Sequence, residues 1–283
     1  MTKIFLDSGN PEDTKEIIGL KKIIDGQTTN PSLVARHPVV AACLDEGKKC
    51  SEEMILGYYK EIVKEISRLI PDKSVSIEVY ADEKISSEKM IKQGREMNSW
   101  IPDAHIKLPI TSSGLAAAET LVNEDISVNM TLCFTQEQAA AVHSATKGAK
   151  EGQVYISPFI GRLDDDGYDG VSLVENILKM YREKNSHVQV LAASIRTMDH
   201  FLSSIKIGSD ILTAPKKVII DWLNEKSTPQ EDNYEIRDND LIKIECKKID
   251  LEKDWKSYEI HHPQTVTGLN KFADDWNKLI DNN

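Results

Sequence analysis

Short runs rich in β-branched and apolar residues alternate along the chain with longer segments in which apolar positions recur every three or four residues. The short runs have the length and composition of strands, and the longer segments have the period of helices. Eight such strands favour an α/β protein whose parallel sheet closes into a (β/α)8 TIM barrel, with an open doubly wound sheet as the alternative. The predicted strands are Lys3 to Asp7, Asp25 to Thr29, Val75 to Val79, His105 to Ile110, Ser127 to Cys133, Gln153 to Phe159, Val188 to Ser194 and Asp210 to Ala214.

The segments between the strands predict helices, several of which follow short polar side chains. Oxygens of such side chains accept hydrogen bonds from the free N–H groups of a first helical turn, so Ser86, Thr135 and Thr197 are candidate N-caps, as are Asp13 and Thr14. The predicted helices are Pro11 to Leu20, Gly57 to Leu69, Glu83 to Trp100, Ser112 to Val122, Gln136 to Ala149, Gly170 to Glu183 and Thr197 to Ile205.

A charged stretch late in the chain breaks this alternation. It follows a predicted helix at Lys216 to Leu223, and within it Asp238 to Asp254 has the period-two alternation of a small exposed strand or hairpin. We predict one barrel domain over residues 1–283, in which Glu225 to His261 is an insertion on one side of the barrel, because loops lengthen at small entropic cost. A further helix is predicted at Val266 to Ile280.

Composition narrows the classes of partner. The 46 acidic and 35 basic residues give a formal charge of -11, which opposes binding to nucleic acid or to an anionic membrane surface. The N-terminal apolar run is too short for a signal peptide, and no window approaches the roughly 20 apolar residues of a membrane span. Cysteines Cys43, Cys50, Cys133 and Cys246 lack metal-site spacing. These features predict a cytoplasmic protein with reduced thiols and no metal site.

One lysine stands in an otherwise apolar run, HIKLPIT. Side chains alternate along a strand, so Ile106 and Leu108 share one face while His105 and Lys107 share the other. An unpaired buried ammonium costs several kcal/mol. Lys107 is therefore either the partner of a carboxylate in a structural ion pair or a partly desolvated amine kept neutral and nucleophilic.

The barrel prediction gives a way to choose between these interpretations. Active sites of TIM barrels lie at the carboxyl ends of the strands, and the predicted strand ends carry polar side chains in one layer. This clustering favours the catalytic interpretation of the lysine over a purely structural one. The residues of the layer are Asp7, Asn30, Glu78, Lys107, Asn129, Thr131, Ser157 and Arg196.

The sequences of the motifs around these residues, and their order along the chain, resemble those of the transaldolase family. The resemblance covers roughly Lys3 to Leu223 and His262 to Ile280 and leaves out Glu225 to His261. It implies a class I aldolase-type barrel that uses no metal and no organic cofactor. The motifs are FLDSGNPEDTKEI, GQTTNPSL, SIEV, IKLPIT, NMTLCFTQEQA, ISPFIGRLDDDG, AASIRT, DILTAPKKVI and HPQTVTGLNKFADDW.

The resemblance also implies a role for each matching residue. Lys107 would form a Schiff base with a ketose phosphate, and Asp7 would remove the proton of the C4 hydroxyl as the bond between C3 and C4 breaks. Glu78 and Thr131 would hold a water that moves protons during imine formation. The remaining positions would bind substrate: Asn30, Asn129 and Ser157 the sugar hydroxyls, Phe159 the end of the site beside the Schiff-base carbon, and Arg162, Ser194 and Arg196 the terminal phosphate.

Several of these residues also have structural interpretations. Asp7 could be a turn residue bonded to its own loop, and Asn30, which precedes a proline, could serve ordinary turn chemistry. Glu78 could be the ion-pair partner of Lys107, which is compatible with catalysis. Arg162 could bond the acidic residues that follow it in GRLDDDG.

The expected function is transaldolase activity in the non-oxidative pentose phosphate pathway. A dihydroxyacetone unit would move from sedoheptulose 7-phosphate or fructose 6-phosphate to glyceraldehyde 3-phosphate or erythrose 4-phosphate. The alternative within the family is a fructose-6-phosphate aldolase, a branch that carries glutamine where this chain has Glu78 and tyrosine where it has Phe159. A third hypothesis is a non-catalytic barrel whose insertion binds a partner. The resemblance implies phosphorylated sugars as ligands and allows a homo-oligomer.

Overall fold

Eight parallel strands hydrogen-bond side by side and close into a barrel, which confirms the predicted (β/α)8 fold. The computed structural model describes residues 1–21, 24–35, 51–224, 234 and 240–278, so the predictions for Cys43 and Cys50 lie outside it. In barrel order the strands are β1 (Lys3–Asp7), β2 (Gly26–Thr28), β3 (Ser74–Glu78), β4 (Ala104–Pro109), β5 (Val128–Cys133), β6 (Val154–Pro158), β7 (Gln189–Ala192) and β8 (Ile211–Ala214).

Helices follow the strands and cover the outside of the barrel. Fully buried Ile106 and Leu108 on β4 belong to the apolar core, as the alternation predicted. The described helices are α1 (Pro11–Lys21), α2 (Pro31–Ala35), α3 (Glu52–Leu69), α4 (Ser87–Asn98), α5 (Ser112–Asn123), α6 (Gln136–Ala145), α7 (Ile160–Asp165), α8 (Gly170–Glu183), α9 (Met198–Lys206), α10 (Lys216–Asn224) and α11 (Pro263–Asn277).

The capping predictions divide into three that are confirmed and two that are wrong. Ser86, Thr135 and Thr197 each accept a hydrogen bond from a backbone N–H of the first turn of α4, α6 and α9. Asp13 and Thr14 are not caps, because α1 already begins at Pro11, a residue that suits a first helical position. Inside the helix, the Asp13 carboxylate accepts from Ser8 Oγ at 2.6 Å, and Thr14 Oγ1 donates to Gln27 Oε1 at 2.8 Å.

His105 lies buried at the amino end of β4. Its ring stacks on Tyr155 with 4.0 Å between centroids, Nδ1 lies 2.8 Å from Ser74 Oγ, and Nε2 lies 2.9 Å from the Gly152 carbonyl oxygen. Burial lowers the pKa of His105 to about 4, so the ring is neutral at physiological pH. Lys107 is two residues further along β4, nearer the carboxyl end of the barrel than this neutral ring.

The described part of the predicted insertion packs along α6 and α8. Ile242–Lys243 forms a two-residue strand, exposed as predicted, that pairs in parallel with Tyr168–Asp169. The chain beyond it is fixed by buried side chains, among them Leu251 and Trp255, and by a hydrogen bond from Lys247 N to Gln136 Oε1 at 2.7 Å. Residues 240–261 are thus attached to the barrel by packing as well as by their connections.

The last described helix, α11, begins at Pro263, three residues before the predicted start, because His262 Nδ1 accepts a hydrogen bond from Gln264 N and the proline occupies the first helical position. The predicted end at Ile280 lies outside the described residues. Among the helices that the structure describes, none is long and apolar enough to cross a membrane.

Candidate active site

Lys107 and Glu78 form a buried ion pair at the centre of the barrel. They are register neighbours on β4 and β3, Lys107 Nζ lies 2.9 Å from Glu78 Oε2, and their side chains are 6% and 5% exposed. Burial raises the pKa of the Glu78 carboxyl, and the adjacent Lys107 ammonium opposes that rise. Burial therefore works against the charge on Glu78, and the ion pair with Lys107 offsets that effect.

A buried hydroxyl without a partner lies on the next strand. Thr131 is fully buried on β5, and its Oγ1 has no hydrogen-bond partner among the described residues. Buried polar groups in proteins are nearly always satisfied by protein or by ordered water. The orphaned Thr131 hydroxyl, one strand from Lys107, is therefore suited to hold a water or a substrate oxygen.

Asn129 and Ser157 are linked to each other. Ser157 Oγ donates to Asn129 Oδ1 at 2.7 Å, and Asn129 Nδ2 donates to Ser76 Oγ at 3.0 Å. Asn129 is fully buried and does not line the cavity, whereas Ser157 does. The chain of bonds orients the Ser157 hydroxyl, so the geometry favours an indirect role for Asn129 through Ser157.

Asp7 and Asn30 lie at the mouth beside β2. Asp7 Oδ1 accepts from Thr28 Oγ1 at 2.7 Å, and Thr28 Oγ1 also lies 2.7 Å from Thr213 Oγ1. Asn30 Oδ1 accepts from Leu33 N at 2.9 Å, which is the local turn chemistry that its position before a proline suggested. Both side chains line the cavity, so the structural bonds and contact with a substrate are compatible.

Arg162 lies between two aromatic rings. Its guanidinium carbon is 5.0 Å from the centroid of Phe159 and 5.5 Å from that of Phe272. Burial lowers the pKa of Arg162 from its usual high value, and nearby Glu78 partly offsets this effect. The geometry differs from the suggested bonds to its own acidic loop, where Asp165 binds a different arginine.

That arginine is Arg196, which is half exposed at the rim. Its Nη1 lies 2.5 Å from Asp165 Oδ1. Ser194 precedes it with a φ of +57°, a left-handed conformation that is uncommon outside glycine, and Gly161 N donates to the Ser194 carbonyl at 3.1 Å. A Cβ at Gly161 would lie 2.6 Å from both Arg196 Nε and Ser194 O, so glycine allows this close approach.

A cavity of about 320 Å³ joins these groups at the carboxyl end of the barrel. Of the predicted site residues, Glu78, Asn129 and Thr131 are absent from its walls and lie buried next to it on β3 and β5. The predicted residues that line it are Asp7, Asn30, Lys107, Ser157, Phe159, Arg162, Ser194 and Arg196.

Sequence reasoning missed several lining residues. Thr28 and Thr213 stand at strand ends, and the polar-layer argument could have included them. Lys271 and Phe272 come from α11, and no periodicity could show that this helix lies over the barrel mouth. The Phe272 centroid is 5.8 Å from Lys107 Nζ, so this ring covers the lysine.

None of the cysteines and histidines that the structure describes lines this cavity. Burial raises the pKa of the Cys133 thiol to about 12, and its Sγ faces the Thr135 carbonyl. The His262 ring stacks on Phe134 with 5.2 Å between centroids. Within the described ranges, no group of three or more His, Cys, Asp and Glu side chains is arranged to hold a metal ion.

Comparison with known proteins places this sequence in a family. The family model described as transaldolase/fructose-6-phosphate aldolase matches residues 4–283. The chain belongs to this enzyme family. A probable transaldolase of Dehalococcoides mccartyi is 37% identical over 227 residues, which are 80% of this chain and 92% of that protein. A probable transaldolase of Syntrophomonas wolfei is 34% identical over 278 residues, 98% of this chain and all of that protein.

A solved structure supports the fold independently. A protein of Mesorhizobium loti described as a "putative dehydratase" superposes with a TM-score of 0.51 at 10% identity, over 78% of this chain and 56% of that one. At this identity the likeness concerns the barrel alone. The family assignment therefore rests on the sequence comparisons.

Proposed function

We propose that this member of the family is a transaldolase that moves a dihydroxyacetone unit between phosphorylated sugars through a Schiff base on Lys107. The observation that carries the proposal is the buried Lys107, which lines the cavity with its Nζ 2.9 Å from Glu78. Its donors are sedoheptulose 7-phosphate or fructose 6-phosphate, as in the non-oxidative pentose phosphate pathway, and its location is the cytoplasm.

Imine formation begins with transfer of the lysine proton toward Glu78. The neutral amine adds to the C2 ketone, and the carbinolamine loses its hydroxyl as water to give an iminium ion. Both steps need a proton to move between nitrogen and oxygen. A water bound between Glu78 and the unpartnered Thr131 hydroxyl performs that transfer.

Carbon–carbon cleavage follows from the electron demand of the iminium ion. Asp7 accepts the proton of the C4 hydroxyl, the electrons of the bond between C3 and C4 move to the iminium nitrogen, and an aldose phosphate leaves. The enamine that remains on Lys107 attacks the aldehyde carbon of an acceptor aldose phosphate. Asp7 returns its proton to the new alkoxide, and hydrolysis of the new iminium releases the product and restores Lys107.

Borohydride trapping tests the proposal. Reduction in the presence of fructose 6-phosphate converts the iminium to a secondary amine, so peptide mass spectrometry is expected to find a sugar-derived adduct on Lys107. An untreated sample and a sample without sugar serve as controls. Failure to find an adduct, together with measurable sugar binding by calorimetry, would favour the non-catalytic barrel instead.

Replacement of Phe159 by tyrosine is expected to increase release of free dihydroxyacetone. Phe159 lines the cavity and has no proton to donate, so the enamine persists until an acceptor aldehyde binds. A hydroxyl at this position can protonate the enamine carbon, which is the difference that separates the aldolase branch. The measured quantity is the ratio of dihydroxyacetone release to transfer, using fructose 6-phosphate with and without erythrose 4-phosphate.

The ratio separates this effect from general damage, which lowers release and transfer together. Release as fast as transfer in the unmodified enzyme would make fructose-6-phosphate aldolase the better assignment. An unchanged ratio in Phe159→Tyr would leave transaldolase activity in place and remove the role given to this position.

Replacement of Arg162 or Arg196 by alanine is expected to raise KM for phosphorylated sugars at least about tenfold. Arg162, Ser194 and Arg196 line the cavity and, in this proposal, bind the phosphate. A charge-assisted hydrogen bond is worth about 1.5 to 3 kcal/mol. Dihydroxyacetone carries no phosphate, so its trapping on Lys107 should change little in Arg162→Ala and Arg196→Ala.

The matched control is Arg95→Ala, because Arg95 is exposed on α4 and pairs with Glu124 away from the cavity. It should leave KM for both kinds of sugar unchanged. If Arg162→Ala and Arg196→Ala weaken the binding of fructose 6-phosphate and the trapping of dihydroxyacetone equally, the arginines support the fold without contacting phosphate.

A further inference from the structure

The helix α11 is fixed across the cavity at both of its ends. At its start, Thr265 is buried, its Oγ1 donates to the Leu132 carbonyl at 3.0 Å, and it accepts from Gln138 Nε2 at 2.8 Å. Leu132 has a φ of +63° next to an irregularity in the pairing of β5. The start of α11 is therefore bound to the distorted carboxyl end of a barrel strand.

The other end of α11 is held on the opposite side of the mouth. Ser32 on α2 donates to the Asp275 carboxylate, and the Trp276 ring packs against Tyr59 and Tyr80 with 6.3 and 6.5 Å between centroids. With both ends anchored, the middle of α11 has a fixed position above the cavity.

Close contacts show which side of the middle turn faces the site. A Cβ at Gly268 would lie 2.3 Å from Arg162 Nη1 and 2.5 Å from Leu132 Cδ2, so the helix approaches Arg162 closely at this glycine. One turn later, Phe272 covers both Arg162 and Lys107. Lys271 lines the same cavity as these residues.

The charge of the exposed Lys271 is not neutralised by an ion pair along its own helix. The carboxylate four residues ahead on the helix, Asp275, is engaged by Ser32 and lies 3.6 Å from Lys278 Nζ. Lys271 makes no ion pair with any residue that the structure describes. Arg196, by contrast, is already paired with Asp165. Lys271 is thus an ammonium at the cavity with its charge still available to a ligand.

We propose that Lys271 is a substrate-binding residue that provides a third cation for the phosphate monoester of the sugar, in addition to Arg162 and Arg196. The inference rests on the proposed function, since it specifies how the same cavity selects phosphorylated over unphosphorylated sugars. The aldose phosphate released and the aldose phosphate accepted present the same group to the same cavity. Lys271 therefore contributes to the KM of both donor and acceptor.

The test compares Lys271→Gln and Lys271→Arg with the unmodified enzyme. We expect Lys271→Gln to raise KM about tenfold for both fructose 6-phosphate and erythrose 4-phosphate, with kcat changed less than twofold. Trapping of dihydroxyacetone should be unchanged, and Lys271→Arg should restore most of the affinity because it keeps the charge. The matched control is Lys278→Gln, a lysine of the same region that pairs with Asp275.

Binding of inorganic phosphate, measured by calorimetry, separates this inference from the proposed function. It needs no turnover, and Lys271→Gln should weaken it about tenfold while Lys278→Gln does not. Phosphate binding that is unchanged in Lys271→Gln would overturn the proposal even if Lys107 forms an adduct. A rise in KM for one phosphorylated sugar alone would overturn the shared role, and equal losses with dihydroxyacetone would make Lys271 structural.

Discussion

Lys107→Arg is expected to lower transfer activity at least about a thousandfold while leaving the protein folded. Arginine keeps a positive charge beside Glu78, so the buried carboxylate does not lose its partner. A guanidinium has no free electron pair of useful basicity, so it cannot add to a ketone. Steady-state transfer from fructose 6-phosphate to erythrose 4-phosphate measures the loss, and borohydride treatment should give no adduct at position 107.

Thermal unfolding and circular dichroism separate this loss from unfolding. Lys107→Ala serves less well, because it leaves Glu78 buried without its partner and is expected to lower stability. Lys216→Arg is the matched control, since Lys216 pairs with Asp13 and Glu16 on the outside of the barrel. More than a thousandth of the original activity in Lys107→Arg would remove Lys107 from the role of nucleophile.

The fold was predictable because the period of the apolar positions indicates the type of most elements. These strands and helices alternate along most of the described chain, as a (β/α)8 barrel requires. β1 and α8 have the bounds that their patterns predicted, Lys3–Asp7 and Gly170–Glu183. Most errors lie at element ends, where side-chain bonds decide, but the short helices α2 and α7 were not predicted at all. α3 begins at Glu52 instead of Gly57, because Ser51 caps it and the glycine is tolerated inside the helix.

The centre of the site was predictable for a different reason. Alternation assigned Lys107 and Glu78 to the inner face, and parallel pairing then made them neighbours. Alternation could not reveal whether an inward side chain reaches the cavity or stays below it. Asn129 shares the inner layer with Lys107, yet it bonds to Ser76 and Ser157 and does not line the cavity.

The sequence patterns could not predict contacts between segments that are distant along the chain. The stretch LNKFADDW has an apolar face that any helix packing on the barrel would need. Its position over the mouth depends on Thr265 and Asp275, whose partners are Leu132 and Ser32. Phe272 therefore covers Lys107 for reasons that no local pattern contains.

Asp7→Asn is expected to slow carbon–carbon cleavage about a hundredfold or more while leaving imine formation largely intact. The amide oxygen can still accept the hydrogen bond from Thr28 Oγ1, so the local geometry is retained, but the amide cannot take the C4 hydroxyl proton. Lys107 and Glu78 are unchanged. The iminium ion of the intact sugar should therefore form and accumulate, because the bond between C3 and C4 breaks slowly.

The mass of the trapped adduct reports which step has slowed. Borohydride reduces an iminium ion and not an enamine, so with fructose 6-phosphate it should trap the three-carbon remainder on Lys107 of the unmodified enzyme as the enamine takes a proton from solvent and becomes its iminium tautomer. In Asp7→Asn it should trap mostly the intact six-carbon sugar phosphate. Asp13→Asn is the matched control, because Asp13 binds Ser8 and Lys216 outside the cavity, and it should keep the three-carbon adduct. If the total adduct and the transfer rate instead fall together in Asp7→Asn, Asp7 acts before or during imine formation, and the cleavage step must use another base.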